Sequence, residues 1–249
     1  MAAVCRTKSE IEKLDRACRA VRIVLGELAE RVSPGVRTAE LDAHARNRAE
    51  EMGGRPAFLN YMGYPASVCV SVNEEVVHGI PGDRVLSSGD MVSLDFGILL
   101  DGYYGDSAIT CLVGEAAEED VRLSEVTREC LERAIQEVRP GKHISDIGEA
   151  VERCAQAAGY GVVREFVGHG IGTRLHEEPQ VPNFRASGRS PAIREGMVLA
   201  IEPMITAGRP ECRVLSDGWT AVTDDGSKAA HWELVAVATS DGPMVLGEV

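Results

Sequence analysis

The feature that most constrains this chain is an internal repeat. The stretch VSPGVRTAEL begins at Val32 and VRPGKHISDI begins at Val138, an offset of 106 residues. Further on, Gly89-Asp90-Met91-Val92-Ser93-Leu94-Asp95 aligns with Gly196-Met197-Val198-Leu199-Ala200-Ile201-Glu202 at an offset of 107. In each copy a long helix stops at Pro-Gly and a shorter helix follows, closed by glycine. Another glycine then opens an apolar strand that carries a carboxylate six residues on. Coincidence explains one such match more easily than two at nearly the same spacing. The chain therefore reads as one domain over 1–249, α+β in class, built from two helix–helix–strand copies at approximately 8–114 and 118–245.

Helical periodicity places the first helix at Lys8 to Arg31, with Ile11, Leu14, Ala17, Cys18, Val21, Val24, Leu25 and Leu28 on one face. Thr38 is the expected N-cap of a second helix running to Met52. The third and fourth helices are expected at Glu118 to Val138 and Ser145 to Ala158. Strands are expected at 67–72, 76–78, 162–167, 197–205, 219–222 and 231–238, with 168–183 (GHGIGTRLHEEPQVPN) as a loop.

Within this pattern, residues 88–110 read as two apolar strands around the turn signal Asp101-Gly102, each strand carrying an aspartate. A hairpin centred on Leu100-Asp101 sets Asp95 opposite Asp106, with Cβ atoms roughly 5 Å apart. Taken alone, the hairpin is equally compatible with a slipped register that separates them. Opposed carboxylates on an apolar ribbon repel unless they share a proton or a cation. The second copy repeats the motif. Glu202 and Glu233 lie symmetrically about Asp217-Gly218, although Pro203 and residues 207–210 demand a bulge or loop in that ribbon. Four carboxylates would then converge on the pseudo-twofold axis.

Composition narrows the class of partner. A formal charge of −13 argues against nucleic acid or an anionic membrane. The opening MAAVCRTKSE has no apolar core of a signal peptide, and no apolar run approaches the roughly 20 residues of a membrane span. Seven scattered cysteines without a C-x-x-C pair suit reduced thiols in a cytoplasmic protein.

Four carboxylates with one imidazole form the donor set of a two-metal hydrolytic site for Mn, Fe, Co or Zn ions. His169, between Gly168 and Gly170, is the imidazole best placed for close approach. In these residues and their motifs the chain resembles a type I methionine aminopeptidase of bacterial kind, with the pita-bread fold shared by prolidase, aminopeptidase P and creatinase. The resemblance rests on SVNEEVVHGIP at 71–81, SLDFG at 93–97, GYYGDSA at 102–108, FVGHGIG at 166–172, LHEEPQVPN at 175–183, IEPM at 201–204 and HWE at 231–233. The first 57 or so residues carry no diagnostic motif.

The resemblance implies two divalent ions. Asp95, Asp106 and Glu233 would hold one. Asp106 and Glu233 would bridge to the other, completed by His169 and Glu202. Glu202 would also shuttle a proton from water to the leaving amine. His78 would assist the leaving nitrogen, and His176 would donate to the carbonyl oxygen as it becomes an oxyanion. Phe58, Tyr61, Tyr64, Cys69, Leu175 and Trp219 would enclose the methionine side chain. The implied substrate is the N-terminal peptide of nascent proteins, and the implied state is a monomer, with docking on the ribosome left open. Without the resemblance, His78 and His176 read as ordinary polar residues, and the aromatic set reads equally well as core.

The sequence departs from the family pattern around the last ligand. Ala-Gln-aromatic-Glu-His-Thr has become Ala230-His231-Trp232-Glu233-Leu234-Val235. Altered neighbours of a ligand can cost roughly 10- to 100-fold in metal affinity or activity. His231 is then either an additional ligand or a residue facing away. Leu175 replaces a common Phe, while Phe58 stands where a small residue, often Cys, is frequent; the two volumes compensate. The rivals are a prolidase-like or Xaa-Pro aminopeptidase, which usually carries a further N-terminal domain, and a catalytically weak or non-enzymatic binding protein on the same fold. Members of that last kind lose metal ligands, and none is lost here.

Overall fold

The computed structural model describes residues 3–188 and 190–248. Four helices flank antiparallel sheet: α1 (Lys8–Arg31), α2 (Thr38–Glu51), α3 (Glu118–Ile135) and α4 (Ile144–Ala158). Thr7 starts α1 with a reciprocal cap, its hydroxyl accepting from the Glu10 amide while the Glu10 carboxylate accepts from the Thr7 amide. The Thr38 expectation is corrected. Arg37 is the N-cap, and Thr38 is the first helical residue, its hydroxyl tied to both the carbonyl and the amide of Gly82. The third helix stops at Ile135 and the fourth begins at Ile144, each a little off the expected bounds.

α1 packs its buried face, including Leu14, Val21, Leu25 and Leu28, on the ribbon formed by strands Met91–Leu100 and Tyr103–Leu112. Alternation along Met91–Leu100 sends Leu94, Phe96 and Ile98 into that core, each fully buried and each stabilising the fold by roughly 1.5–3 kcal/mol. Asp95, between them, faces the other way. The approach of α1 is so close that a Cβ at Gly105 would sit 2.6 Å from the Ala17 carbonyl oxygen.

The register of this ribbon differs from expectation by two residues. Asp95 pairs with Ala108, and Asp106 pairs with Gly97. The turn is the two-residue Asp101-Gly102, with φ of 50° and 81°, the positive pair that a tight right-twisted hairpin requires. Centring on Leu100 would have put a bulky apolar residue in that turn. A shift of two preserves the face, so the aspartates are diagonal neighbours on one surface rather than directly opposed.

The second ribbon keeps the expected centre. Ile201 pairs with Leu234, Met204 with His231 and Cys212 with Thr223, all symmetric about Asp217-Gly218. The strands expected at 197–205 and 231–238 are each broken, into Val198–Ile201 and Met204–Thr206 on one side and Ala229–His231 and Leu234–Thr239 on the other. The breaks fall at Glu202-Pro203 and Trp232-Glu233. Proline cannot donate to a ladder, and the Glu202 carbonyl instead accepts from Asn183 Nδ2 at 2.9 Å. The two ribbons meet where Ala108 and Glu233 exchange backbone hydrogen bonds.

Two further expectations are corrected. Residues 162–167 form no continuous strand; only Gly161–Val162 is extended and paired. Conversely, 168–183 is not simply loop: Gly168–Gly170 and Glu177–Val181 pair with each other, and His169 also pairs with Ala200. No helix among the described residues is long and apolar enough to cross a membrane.

Candidate active site

Each predicted ligand sits on a paired or interrupted strand. Asp95 lies between Cys69 and Ala108 across the sheet, so Cys69, Asp95 and, diagonally, Asp106 share the face turned away from α1. Glu202 and Glu233 occupy the two breaks of the second ribbon, where a side chain escapes strict alternation. His169 is presented by Gly168–Gly170. Its Nδ1 lies 2.9 Å from the Gly170 carbonyl. A carbonyl only accepts, so the ring proton is on Nδ1 and the Nε2 lone pair points to the carboxylates. From Nε2, Glu202 Oε1 is 3.5 Å away and Asp106 Oδ2 is 3.9 Å away.

Donor atoms of Asp106, His169 and Glu233 lie within 4.8 Å of one another. All three residues are buried, and with Asp95 and Glu202 they line the adjoining cavity. Burial raises all four carboxyls: Asp95 to about 7, and Asp106, Glu202 and Glu233 well above their ordinary range, with mutual repulsion adding to the last three. Burial lowers His169 to about 3, so its ring is neutral and able to ligate. Asp95 Oδ1, Asp106 Oδ1 and Glu233 Oε1 are buried without a hydrogen-bond partner. Such atoms cost free energy unless a cation or proton satisfies them. An all-oxygen set with one imidazole suits a hard or borderline divalent ion, and the residues fit that group.

Above the carboxylates opens a cavity of about 180 Å³. All six predicted pocket residues, Phe58, Tyr61, Tyr64, Cys69, Leu175 and Trp219, line it, together with His78 and His176. The space is close to the roughly 150 Å³ apolar cavity that holds a benzene ring, so it admits one slim side chain. Tyr64 is anchored by its hydroxyl to the Gly79 carbonyl at 2.8 Å and meets Trp219 edge-on at 5.1 Å. His176 stands at the mouth, its ring 4.2 Å from that of His169 and its Nδ1 2.8 Å from the Tyr61 hydroxyl. His78 has a positive φ of 61° and rests edge-on against Phe166 at 5.2 Å. Burial lowers its pKa to about 4. The ring is therefore neutral near pH 7.

His231 is buried, its Nε2 has no partner, and it lies outside the Asp106–His169–Glu233 group. Sequence reasoning missed three residues that shape this site. Asn183 holds the Glu202 backbone; it closes the quoted 175–183 motif, and that position was its only signal. Phe166 backs His78, and Met62, 82% exposed, sits at the rim. Phe166 opens the FVGHGIG motif at 166–172, a signal of the same kind, while Met62 carries none.

Residues 12–239 match the model of metallopeptidase family M24. Methionine aminopeptidase 1 of Bacillus subtilis is 44% identical over 99% of both chains, and the Aquifex aeolicus methionine aminopeptidase is 44% identical over the full length of both. The crystal structure of methionine aminopeptidase from Thermotoga maritima superposes with a TM-score of 0.97, at 41% identity and complete coverage of both chains. Prolidase from Pyrococcus furiosus matches 99% of this chain and 66% of its own with a TM-score of 0.80; at 23% identity that likeness shows the pita-bread fold alone. Matched by the family model over most of its length and by relatives well above a third identical, the chain belongs to metallopeptidase family M24, among the methionine aminopeptidases.

Proposed function

We propose that this chain hydrolyses the amide bond that follows an N-terminal methionine, using two divalent ions. The observation that carries the reading is the meeting of four carboxylates and one neutral imidazole at the floor of a cavity with mostly apolar walls. Asp95, Asp106 and Glu233 would hold one ion; Asp106, Glu233, His169 and Glu202 would hold the other. When bound, such ions lower the pKa of water and stabilise charge on a carbonyl oxygen.

The chain's own groups supply the rest. The methionine side chain enters between Tyr61, Tyr64, Cys69, Leu175 and Trp219, with Phe58 closing the inner wall. Glu202, partly exposed to the cavity, takes a proton from the attacking water and returns it to the leaving amine. The Tyr61 hydroxyl lies 2.8 Å from His176 Nδ1; in this reading it donates there, which leaves Nε2–H to donate to the carbonyl oxygen as negative charge develops. His78, neutral and braced by Phe166, faces the leaving nitrogen. The free α-amine of the substrate meets the surrounding carboxylates.

The same reading takes residues 1–249 as one catalytic domain of two copies, 8–114 and 118–245. It takes nascent chains in the cytoplasm as substrate and a monomer as the working unit. Release of methionine from Met-Ala-Ser with added Co, Mn, Fe or Zn tests it. A folded protein that releases no methionine with any of these ions refutes it.

A further inference from the structure

Leu175 and His176 both project into the cavity from the segment between strands Gly168–Gly170 and Glu177–Val181. That segment has little regular structure of its own, so its position must come from elsewhere. It is held at three points. The Gly172 carbonyl accepts from the Tyr104 amide at 2.8 Å. The Glu177 carboxylate accepts from the Arg174 amide at 3.1 Å and from the Thr173 hydroxyl at 3.4 Å. The same carboxylate is ion-paired with the Arg6 guanidinium, which comes from the N-terminal segment ahead of α1.

The pair is built rather than incidental. The Arg6 and Glu177 side chains are only 6% and 5% exposed. The Arg6 amide donates to the Gly196 carbonyl at 2.7 Å, and its second terminal nitrogen reaches Glu10 at 3.4 Å. The guanidinium lies against Gly172, where any Cβ would overlap it. Planar Arg, with donors directed at both Glu177 and Glu10, fits this slot in a way a point-charge Lys cannot match in full.

We infer that Arg6, acting through Glu177, is a positioning residue that sets the segment carrying Leu175 and His176 against the cavity. This inference rests on the proposed role of His176 at the substrate carbonyl. Arg6 touches no substrate and no ligand of the metal group. A 1 Å displacement of a reacting group can cost on the order of 100-fold in rate. Donation to a developing oxyanion matters in the transition state, so the loss falls on kcat more than on KM.

The test compares Arg6→Met, Arg6→Lys and Glu177→Gln with the unaltered protein, all loaded with Co. Expected are a 10- to 100-fold fall in kcat on Met-Ala-Ser for Arg6→Met and Glu177→Gln, partial recovery in Arg6→Lys, and an unchanged cobalt visible spectrum. In histidine-labelled protein, the His176 ring resonances shift or broaden while those of His44, paired with Glu27 at the end of α1 remote from Arg6, do not. Glu177→Gln, which keeps the side-chain shape, carries the test if Arg6→Met fails to fold. Retained kcat, or unmoved His176 resonances, overturns the inference, as does a loss of activity that tracks loss of the cobalt spectrum. If the unaltered protein releases no methionine, the functional reading fails, and the resonances alone then decide whether Arg6 positions His176.

Discussion

Replacing Gly105 by Ala should damage stability and activity together, because the residue joins the packing of α1 to the placement of Asp106. A methyl at this position would lie 2.6 Å from both the Ala17 carbonyl oxygen and the Cys18 amide nitrogen, which are backbone atoms inside a 24-residue helix. They have no rotamer to change. The strand cannot retreat either, since Gly105 is paired with Ile98 in a ten-residue ladder. Overpacking of this kind costs about 1–3 kcal/mol. For a chain of this length each kcal/mol lowers Tm by about 2–4 °C, so a fall of about 2–12 °C is expected. Asp106 is the next residue, and moving it by about 1 Å should lower kcat/KM on the order of 100-fold. Gly26→Ala in the same helix is the control of opposite sign. It is exposed, nothing lies within 4 Å of its added Cβ, and it should raise stability by about 0.8–1 kcal/mol with activity unchanged. Differential scanning calorimetry and Met-Ala-Ser turnover on both variants measure the contrast. A Gly105→Ala protein that melts within 1 °C of the parent and turns over at full rate would refute the account of how α1 seats the ribbon.

His169→Ala should abolish turnover while leaving the fold intact by circular dichroism; full activity would remove His169 from the ligand set. Trp219→Ala, which strips the edge-on partner of Tyr64, should raise KM for Met-Ala-Ser about tenfold or more with a smaller change in kcat, read by steady-state kinetics. In chelator, stability should fall as pH rises from 7 to 9. Asp106, Glu202 and Glu233 have folded pKa values raised well above their unfolded ones, so their contribution is complete in acid and is lost as pH climbs through the folded values, by about 1.4 kcal/mol per pH unit for each carboxyl still holding its proton. The buried His78, His169 and His231 are lowered, act in the opposite sense below about pH 6.5 and are flat above it, while the thiols of Cys18, Cys69 and Cys111, raised by burial, add to the fall as the pH nears 9. Melting temperatures in EDTA that are higher at pH 9 than at pH 7 would contradict this, and added divalent metal should flatten the slope.

How much of this was legible in the residues depends on which physical rule governs each feature. Helix positions followed from apolar periodicity and Pro-Gly stops, and only their ends moved. The second ribbon's centre at Asp217-Gly218 was readable, because a two-residue turn dictates register on both sides of it. The same rule, applied one residue too early, misplaced Asp95 against Asp106. Their shared face survived the error because side chains alternate with period two and the shift was also two.

The sequence by itself determined the donor chemistry: which carboxylates stand on apolar strands, and which histidine has glycines on either side. Those are local properties of residue type and spacing. Only the tertiary structure decided what is contributed by contact between distant segments. Asn183 meets the Glu202 carbonyl because a proline breaks the ladder there. Phe166 braces His78 from a segment whose strand-like pattern at 162–167 does not form a continuous strand. Arg6 reaches Glu177 from 171 residues away in the chain. No local pattern encodes such meetings, since they depend on where separately folded elements come to rest against one another.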